Sequence, residues 1–363
     1  MLSRRQVLAM AGAVPAWYAI KSSSTAFGSA GEVATPLAAP QGAPKLGGTP
    51  TAFSLRMRAG RGGGQPFDIV EHCRKIGMGG VQTNPPSTDP AEIKKFRQRI
   101  EGYNMHLICD PRLPKQESDV AAFENEVKAY KEAGAACFHA ALTGRRYEDF
   151  DALEPFKQMF EGIKKSVALA EPVLRKYRMK LALENHKGYR SAEQAAWLKQ
   201  VGSEWLGVCL DFGNNMSLCE DPMDTARTLA PYTIFGHIKD MAVEEYQDGF
   251  LLSEVPLGEG IVDLKQIVDM LRKKDPNMIF DLEMITRDPL KIPVYTTKYW
   301  ATFDDSYSPF PGRDLAKVLA LVKNNKPKKP LPKITGLSPE AQIKLEDDYN
   351  NQCVAYARQN LGM

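Results

Sequence analysis

Four side chains of the kinds that bind metal ions follow short apolar segments in the second half of the chain. They are Glu184 in LALENH, Asp211 in GVCLDFGN, His237 in FGHIKD and Glu283 in IFDLE. A carboxylate that directly follows an apolar segment is costly to desolvate unless something compensates its charge. One such residue could simply cap the next helix, but four residues in equivalent positions are better explained by a shared cation. The pattern therefore predicts a metal centre.

The types of ligand indicate which metal to expect. Three carboxylates and one imidazole form a hard-to-borderline donor set, which differs from a closed thiolate zinc site. We expect one divalent ion, with Mn2+ as the first choice and Mg2+, Co2+ or Zn2+ as alternatives. The six cysteines are widely spaced and include no CxxC pair, so they indicate neither a zinc knuckle nor a disulfide framework.

The candidate ligands belong to a regular alternation of short apolar runs and longer amphipathic runs over residues 52–325. Asp68, Asp89 and Ser118 precede amphipathic runs and are expected to be helix N-caps. Eight strands, each followed by a helix, indicate an α/β fold, the (β/α)8 TIM barrel. An open doubly wound sheet is the alternative, but the glycines at 62–64 lack the GxGxxG spacing. The predicted strands are 52–58, 80–83, 106–109, 136–140, 180–183, 206–210, 234–237 and 278–282.

Two connections are longer than a minimal barrel needs. They are 240–262 after the seventh strand and 284–311 after the eighth, so both should lie on the carboxyl face of the barrel. Long structured loops at that face are expected to act as lids. The barrel domain is assigned to 51–325, and a Pro/Lys linker with a C-terminal helix, 326–363, extends it.

The motifs ENH, LDFGN, GHIKD and DLE at the strand ends resemble those of the xylose isomerase-like barrel superfamily, and the PLGEG loop is similar as well. That superfamily contains sugar isomerases and epimerases, inosose dehydratases and AP endonucleases. The resemblance covers residues 52–325 and implies a sugar or sugar-like substrate. Epimerases of the group usually have a histidine three residues after the strand-six aspartate, where this chain has Asn214. A simple ketose 3-epimerase is therefore in doubt.

The predicted chemistry is proton transfer at a carbon next to a carbonyl of a sugar or sugar derivative, as in an isomerase or epimerase. Glu184 and Glu283 are expected to be the catalytic acid/base pair, while Asp211 and His237 mainly fix the metal. One alternative is a lyase or dehydratase that acts on an oxidised (keto) sugar or glycoside. The other is a non-catalytic, metal-containing carbohydrate-binding protein.

Further polar and aromatic residues near strand ends are candidates for contact with the substrate. The lysines at 187 and 239 could equally form ion pairs on the rim, one of them with Asp240. The imidazole at 139 could equally be a core residue, and the aromatic residues after strand eight could equally pack the lid. Arg145 and Arg146 could bind an acidic group or be neutralised by nearby acids. The candidate substrate-binding residues are His139, His186, Lys187, Asn214, Lys239 and Trp300.

The N-terminus reads as an export signal. Arg4 and Arg5 precede an apolar run and a stretch of small residues, an order that resembles a twin-arginine signal peptide over 1–30. The apolar run is shorter than the roughly 20 residues that span a bilayer, so a stable membrane anchor is not expected. The Ala/Pro/Gly-rich segment 31–50 should be a flexible linker. We expect a periplasmic or otherwise exported protein that uses the twin-arginine machinery.

Composition narrows the range of partners. The formal net charge is +3 and both signs are scattered along the chain, so nothing indicates a surface that follows nucleic-acid phosphates. The one dense basic stretch, 323–333, is interrupted by prolines and is interpreted as a solvated connector. We expect a small-molecule sugar as the main partner. The sequence leaves open whether the protein forms a homo-oligomer.

Overall fold

Eight parallel strands close into a barrel in the computed structural model, which describes residues 45–61, 66–304 and 308–363. The first strand pairs with both the second and the last, which closes the sheet and confirms the predicted (β/α)8 fold. The predicted signal peptide and most of the predicted linker lie outside the described residues. The barrel strands are β1 (Gly47–Gly48), β2 (Gly80–Gln82), β3 (His106–Cys109), β4 (Cys137–Ala140), β5 (Leu181–Glu184), β6 (Leu206–Asp211), β7 (Thr233–Ile238) and β10 (Phe280–Leu282).

Helices cover the outside of the barrel and begin largely where capping residues predict. Asp68 and Asp89 accept hydrogen bonds from backbone amides in the first turns of their helices. Ser118 is not an N-cap as predicted, because it lies inside a 3-10 turn and Asp119 precedes the helix. The helices are α1 (Ser54–Arg61), α2 (Ile69–Ile76), α3 (Pro90–Gly102), α4 (Val120–Glu132), α5 (Arg146–Asp149), α6 (Leu153–Tyr177), α7 (Ser191–Val201), α8 (Pro222–Leu229), α9 (Leu264–Lys274), α10 (Gly312–Asn324) and α11 (Pro339–Tyr356).

The first strand is not where the apolar pattern places it. Residues 52–58 form a 3-10 turn and the start of α1, whereas Gly47–Gly48 is the strand. A Cβ on Gly47 would lie 1.9 Å from Asp281 Oδ1, so this strand has no room for side chains and no apolar signature. The predicted linker therefore ends before residue 47, and the following residues belong to the barrel.

The two long connections after strands seven and eight form an ordered sheet. β8 (Asp240–Tyr246) and β9 (Gly249–Val255) make an antiparallel hairpin, and β11 (Leu290–Ile292) pairs with β9. We call the segments 240–262 and 284–304 the lid. The sequence predicts these segments as long loops, and the structure adds that they pair with each other.

One buried carboxylate fixes the base of the lid. Asp240 is 1% exposed and accepts hydrogen bonds from the backbone amides of Gly258, Gly260, Val262 and Met241 at 2.9–3.1 Å. The PLGEG loop is thus folded around Asp240. The ion pairs of the described residues join Lys239 to Asp211 and Glu283, so the alternative of a lysine pair with Asp240 is not supported.

The C-terminal segment completes the ring of helices. Helix α11 packs against α1, and the π-helical turn Ala357–Leu361 that follows it contacts α9. The Glu346 carboxylate accepts the backbone amides of Leu55 and Arg56 at 2.7 and 3.1 Å. Because α1 and α9 flank the last gap in the ring, α11 takes the place of the eighth helix. The domain boundary predicted at residue 325 therefore divides one structural unit.

The cysteines contribute to packing. All six are buried and free, and Cys137 and Cys209 lie with Ile108, Ala182 and Phe235 in one apolar cluster. Within the described residues, no helix combines the length and apolar content that crossing a membrane requires.

Candidate metal centre

The four predicted ligands converge at the carboxyl rim of the barrel. Glu184 and Asp211 are the last residues of β5 and β6, His237 lies in β7, and Glu283 directly follows β10. One donor atom from each lies within 4.8 Å of the donor atoms of the other three, and all four residues are buried. Parallel strands bring their carboxyl ends to one rim, which explains why residues far apart in sequence meet here.

The charges of this cluster match a divalent cation. Burial raises the pKa of Asp211 well above its usual range, and the nearby carboxylate of Glu283 adds to the shift. Lys239 Nζ lies 2.8 Å from Asp211 Oδ2 and 2.8 Å from Glu283 Oε2. Three carboxylates and this one ammonium group sum to −2 when all are ionised. A divalent ion would bring the centre to neutrality.

The imidazole of His237 presents a free lone pair to the centre. Gln82 donates its side-chain amide to the Asp110 carboxylate at 2.9 Å, so its carbonyl oxygen faces His237 Nε2 at 2.7 Å. His237 Nε2 must therefore carry the proton, and Nδ1 is unprotonated. Nδ1 is buried without a hydrogen-bond partner among the described residues and lies 3.6 Å from Glu184 Oε2. An unprotonated, unpartnered imidazole nitrogen among carboxylates fits a metal ligand, and the amide behind it orients the ring.

Glu184 is held by two partners. His139 Nε2 donates to Oε2 at 3.0 Å, and Asn214 Nδ2 donates to Oε1 at 2.7 Å. Burial and the charge of Glu283 oppose ionisation of Glu184, but His139 outweighs them and the pKa falls to about 2. His139 also donates through Nδ1 to Asp110 at 2.5 Å. Burial lowers the pKa of His139, but its two carboxylate partners outweigh this and raise it to about 10. The imidazole therefore orients Glu184, a role that the sequence did not indicate.

Glu283 is held from two sides as well. Its Oε2 accepts a hydrogen bond from Lys239 at 2.8 Å, and its Oε1 accepts one from Thr51 at 3.3 Å. Burial opposes ionisation, but the charge of Lys239 outweighs it and keeps the pKa of Glu283 well below its usual range.

Asn214 connects the centre to two buried lysines. Its backbone amide donates to Asp211 Oδ1 at 2.7 Å. Its side-chain oxygen accepts from Lys239 at 3.0 Å and also from Lys187. Burial, helped by the charge of Lys239, lowers the pKa of Lys187 to about 8.

Two other predicted substrate contacts have partners within the protein. His186 donates through Nδ1 to the backbone carbonyl of Thr143. The indole N–H of Trp300 donates to the Val294 carbonyl at 2.8 Å, and its ring packs against Phe303. These contacts favour the packing interpretation for the aromatic cluster.

Arg146 contacts the lid through Thr302. It is fully buried, pairs with Glu193 at 3.2 Å and donates to the carbonyl of Thr302 at 2.7 Å. The alternative of neutralisation by a nearby acid holds for Arg145, which pairs with Glu148 at 2.8 Å.

Three residues of the centre were missed by the sequence analysis. Gln82 ends β2 and Asp110 directly follows β3, so both repeat the signal that identified the ligands. Thr51 gives no such signal, because its strand was misplaced.

A closed parallel barrel with a candidate metal centre at its carboxyl rim has the layout in which TIM-barrel enzymes place their active sites. The chain belongs to the xylose isomerase-like TIM barrel family, whose model matches residues 70–300.

Two curated relatives match the chain at low identity. The protein YihM of Escherichia coli K12 is 22% identical over 228 residues, which cover 61% of this chain and 66% of that protein. The 3-oxo-isoapionate decarboxylase of Pectobacterium atrosepticum is 28% identical over 109 residues, which cover 30% of this chain and 40% of the enzyme. The match thus covers less than two thirds of each of these proteins.

Solved structures share the fold at low identity. A D-psicose 3-epimerase structure matches with a TM-score of 0.54 and 16% identity, over 88% of this chain and 100% of that one. A xylose isomerase domain protein from Alicyclobacillus acidocaldarius gives 0.52 and 15%, over 77% and 100%. Similarity at this level shows the fold alone.

Proposed function

We propose that the protein is a divalent-metal-dependent enzyme that moves a proton at a carbon next to the carbonyl of a sugar or sugar derivative. The observation that carries this proposal is the placement of two buried glutamates, Glu184 and Glu283. Each offers one oxygen to a shared four-residue centre and is held by its own set of polar partners. The D-psicose and L-ribulose 3-epimerases that share the fold act on ketoses, which supports the choice of substrate class.

Glu184, Asp211, His237 and Glu283 would hold the ion. When bound, a divalent cation polarises a carbonyl and stabilises negative charge on its oxygen. One glutamate would then accept the proton from the carbon and later release it to solvent, while the other would take up a proton from solvent and return it to the substrate. Return to the opposite face of the same carbon gives epimerisation, and return to the adjacent carbon gives isomerisation.

The neighbours of the two glutamates keep them in position for this transfer. His139, backed by Asp110, fixes Glu184, while Lys239 fixes Glu283. Both carboxylates are ionised in the folded protein, so either can begin as the base. A binding protein would need no such pair, and for this reason we favour an enzyme.

A lyase that acts on an oxidised sugar is the second candidate. Asn214, which stands where epimerases of the family usually have a histidine, supports it. This residue contacts two lysines and Glu184, so it is positioned as a scaffold and offers no imidazole for proton transfer. The partial match to a decarboxylase that acts on a keto sugar acid supports this candidate too. We further propose Mn2+ as the metal and export as the destination of the protein.

Isotope exchange tests the proposal. Protein reconstituted with Mn2+ is incubated in deuterium oxide with ketoses, aldoses and 3-keto-glycosides, and NMR follows deuterium at each carbon. We expect deuterium at one carbon next to a carbonyl, only with metal present. Deuterium together with a lost substituent would indicate the lyase. No metal-dependent exchange with any of the three classes would overturn the proposal.

A further inference from the structure

Lys187 is a buried cation without a carboxylate partner. The residue is 3% exposed, and its ammonium group donates to the side-chain oxygen of Asn214. Within residues 45–61, 66–304 and 308–363, no salt bridge at 4.0 Å or less involves Lys187. A lysine offers three donors, and this one has a single described acceptor, which it shares with Lys239.

The other charges around the centre are balanced. His139 and Asp110 form one ion pair. On the lid, Glu254 is 1% exposed and both of its oxygens are bound by Arg287, at 2.5 and 3.1 Å. The three carboxylate ligands, Lys239 and a divalent ion sum to zero, as shown above. The positive charge of Lys187 is therefore left over.

An unpaired buried charge costs several kcal/mol, and a fold that needed only packing at this position would be more stable with an apolar side chain. The lowered pKa of Lys187 reflects that cost, yet at about 8 it leaves most of the groups protonated at pH 7. An anion brought in by the substrate would compensate the charge.

The position of Lys187 suits a substrate group close to the reacting carbon. Asn214 Oδ1 bridges Lys187 and Lys239, and Lys239 in turn contacts Glu283. Along this chain, an anion on Lys187 is four hydrogen bonds from the Glu283 carboxylate, which sets an upper limit of roughly 11 Å on their separation. That limit leaves room for an acidic group a few bonds from the carbonyl of a sugar.

We propose that Lys187 binds an anionic group of the substrate, a carboxylate or a phosphate, so that the enzyme acts on an acidic keto sugar in preference to a neutral one. This inference rests on the proposed function, because the surplus charge is counted with the metal bound. It adds a substrate class and assigns a specificity-determining residue.

Three ligands that differ at one carbon test the inference. D-fructose is neutral, 2-keto-D-gluconate is its C1 carboxylate, and D-fructose 1-phosphate has a phosphate at the same end. Isothermal titration calorimetry measures the Kd of each for the Mn2+-loaded protein. The variants are Lys187→Met, which removes the charge, and Lys187→Arg, which keeps it. Lys265→Met is the matched control, because Lys265 is exposed and pairs with Asp269 within α9.

We expect the parent protein and Lys265→Met to bind at least one anion about 10-fold or more tightly than D-fructose, the size of one charged hydrogen bond. Lys187→Met should lose this preference and leave the Kd of D-fructose within about 3-fold, whereas Lys187→Arg should keep part of it. The anion that binds more tightly shows whether the anionic group of the substrate is a carboxylate or a phosphate. Lys187→Met should also melt at a higher temperature than the parent, because the unpaired charge is gone.

Several results would overturn the inference. One is an affinity for D-fructose equal to that for both anions in the parent protein, or no binding of any of the three. Another is an equal loss for neutral and anionic ligands in Lys187→Met. If Lys187→Met does not fold, the preference for anions over D-fructose is still compared between the parent protein and Lys187→Arg, and this comparison tests the inference. Anion preference without deuterium exchange would refute the proposed function alone, and exchange without anion preference would refute this inference alone.

Discussion

Changing Glu283 to glutamine removes one charge from the centre while preserving the size of the side chain. Glu283 Oε2 accepts a hydrogen bond from Lys239 at 2.8 Å, and Oε1 accepts one from Thr51. Glutamine keeps one oxygen acceptor, but its NH2 group cannot accept a proton. The charge of the three carboxylates and Lys239 then falls from −2 to −1.

This change should weaken the metal site and disable the catalytic step to different extents. We expect the affinity for Mn2+ to fall about 10-fold to 100-fold, the size typical when groups that support a metal site are disturbed. Turnover at saturating metal should fall further, by about 10²- to 10⁴-fold, because general acid–base catalysis supplies that much.

Metal titration by calorimetry measures the affinity for Mn2+, and deuterium exchange at saturating Mn2+ measures the catalytic step. Glu126→Gln is the control, since Glu126 is a buried carboxylate, 9% exposed, that pairs with Arg112 outside the barrel. Glu126→Gln should change neither the affinity for Mn2+ nor the rate of deuterium exchange by more than about 2-fold. If fully metal-loaded Glu283→Gln exchanges deuterium at the parent rate, Glu283 is a ligand only, and another residue is the base.

Three further predictions concern stability and export. Asp240→Ala leaves four backbone amides, two of them in the PLGEG loop, without their acceptor, so urea denaturation should show a loss of about 2–4 kcal/mol. A loss below about 0.5 kcal/mol, the scatter of surface substitutions, would contradict this role. Burial raises the pKa of Glu346 to about 7, so the folded state holds this proton more tightly than the unfolded chain. Its stabilising effect is full below pH 4.5 and is lost as the pH rises through 7; Glu346→Gln should flatten that fall in denaturation curves, and an unchanged slope would argue against it. Replacing Arg4 and Arg5 by lysine should leave the precursor in the cytoplasm by cell fractionation, and normal appearance of mature protein outside would point to another route.

Much of the fold could be predicted because its signals are local. Seven of the eight barrel strands follow apolar runs, and their positions differ from the prediction by at most two residues at either end. The exception, Gly47–Gly48, lies where Asp281 and the core leave no room for a Cβ, so it has no side chains that could mark it. The pairing of the lid strands and the place of α11 in the ring were also not predictable, because both depend on contacts between segments distant in the chain.

In the candidate site, too, the local features could be predicted and the contacts between distant segments could not. The four ligand types, their positions at strand ends and the departure at Asn214 are all fixed by the sequence. Which partners hold them is decided by the closed barrel. Its register sets His237 of β7 beside Asp281 of β10, and its closure brings Gln82 of β2, three strands away around the barrel, to the imidazole.

The lysines show the difference most clearly. Sequence places both at strand ends and leaves each with a choice between an ion pair and a substrate. Only the tertiary structure gives Lys239 two carboxylates and leaves Lys187 with an amide oxygen. The physical reason is that the partner of a charged group depends on distances across the rim, and a linear sequence pattern does not contain these distances. Burial at the end of an apolar strand, in contrast, can be predicted from the neighbouring residues in the sequence.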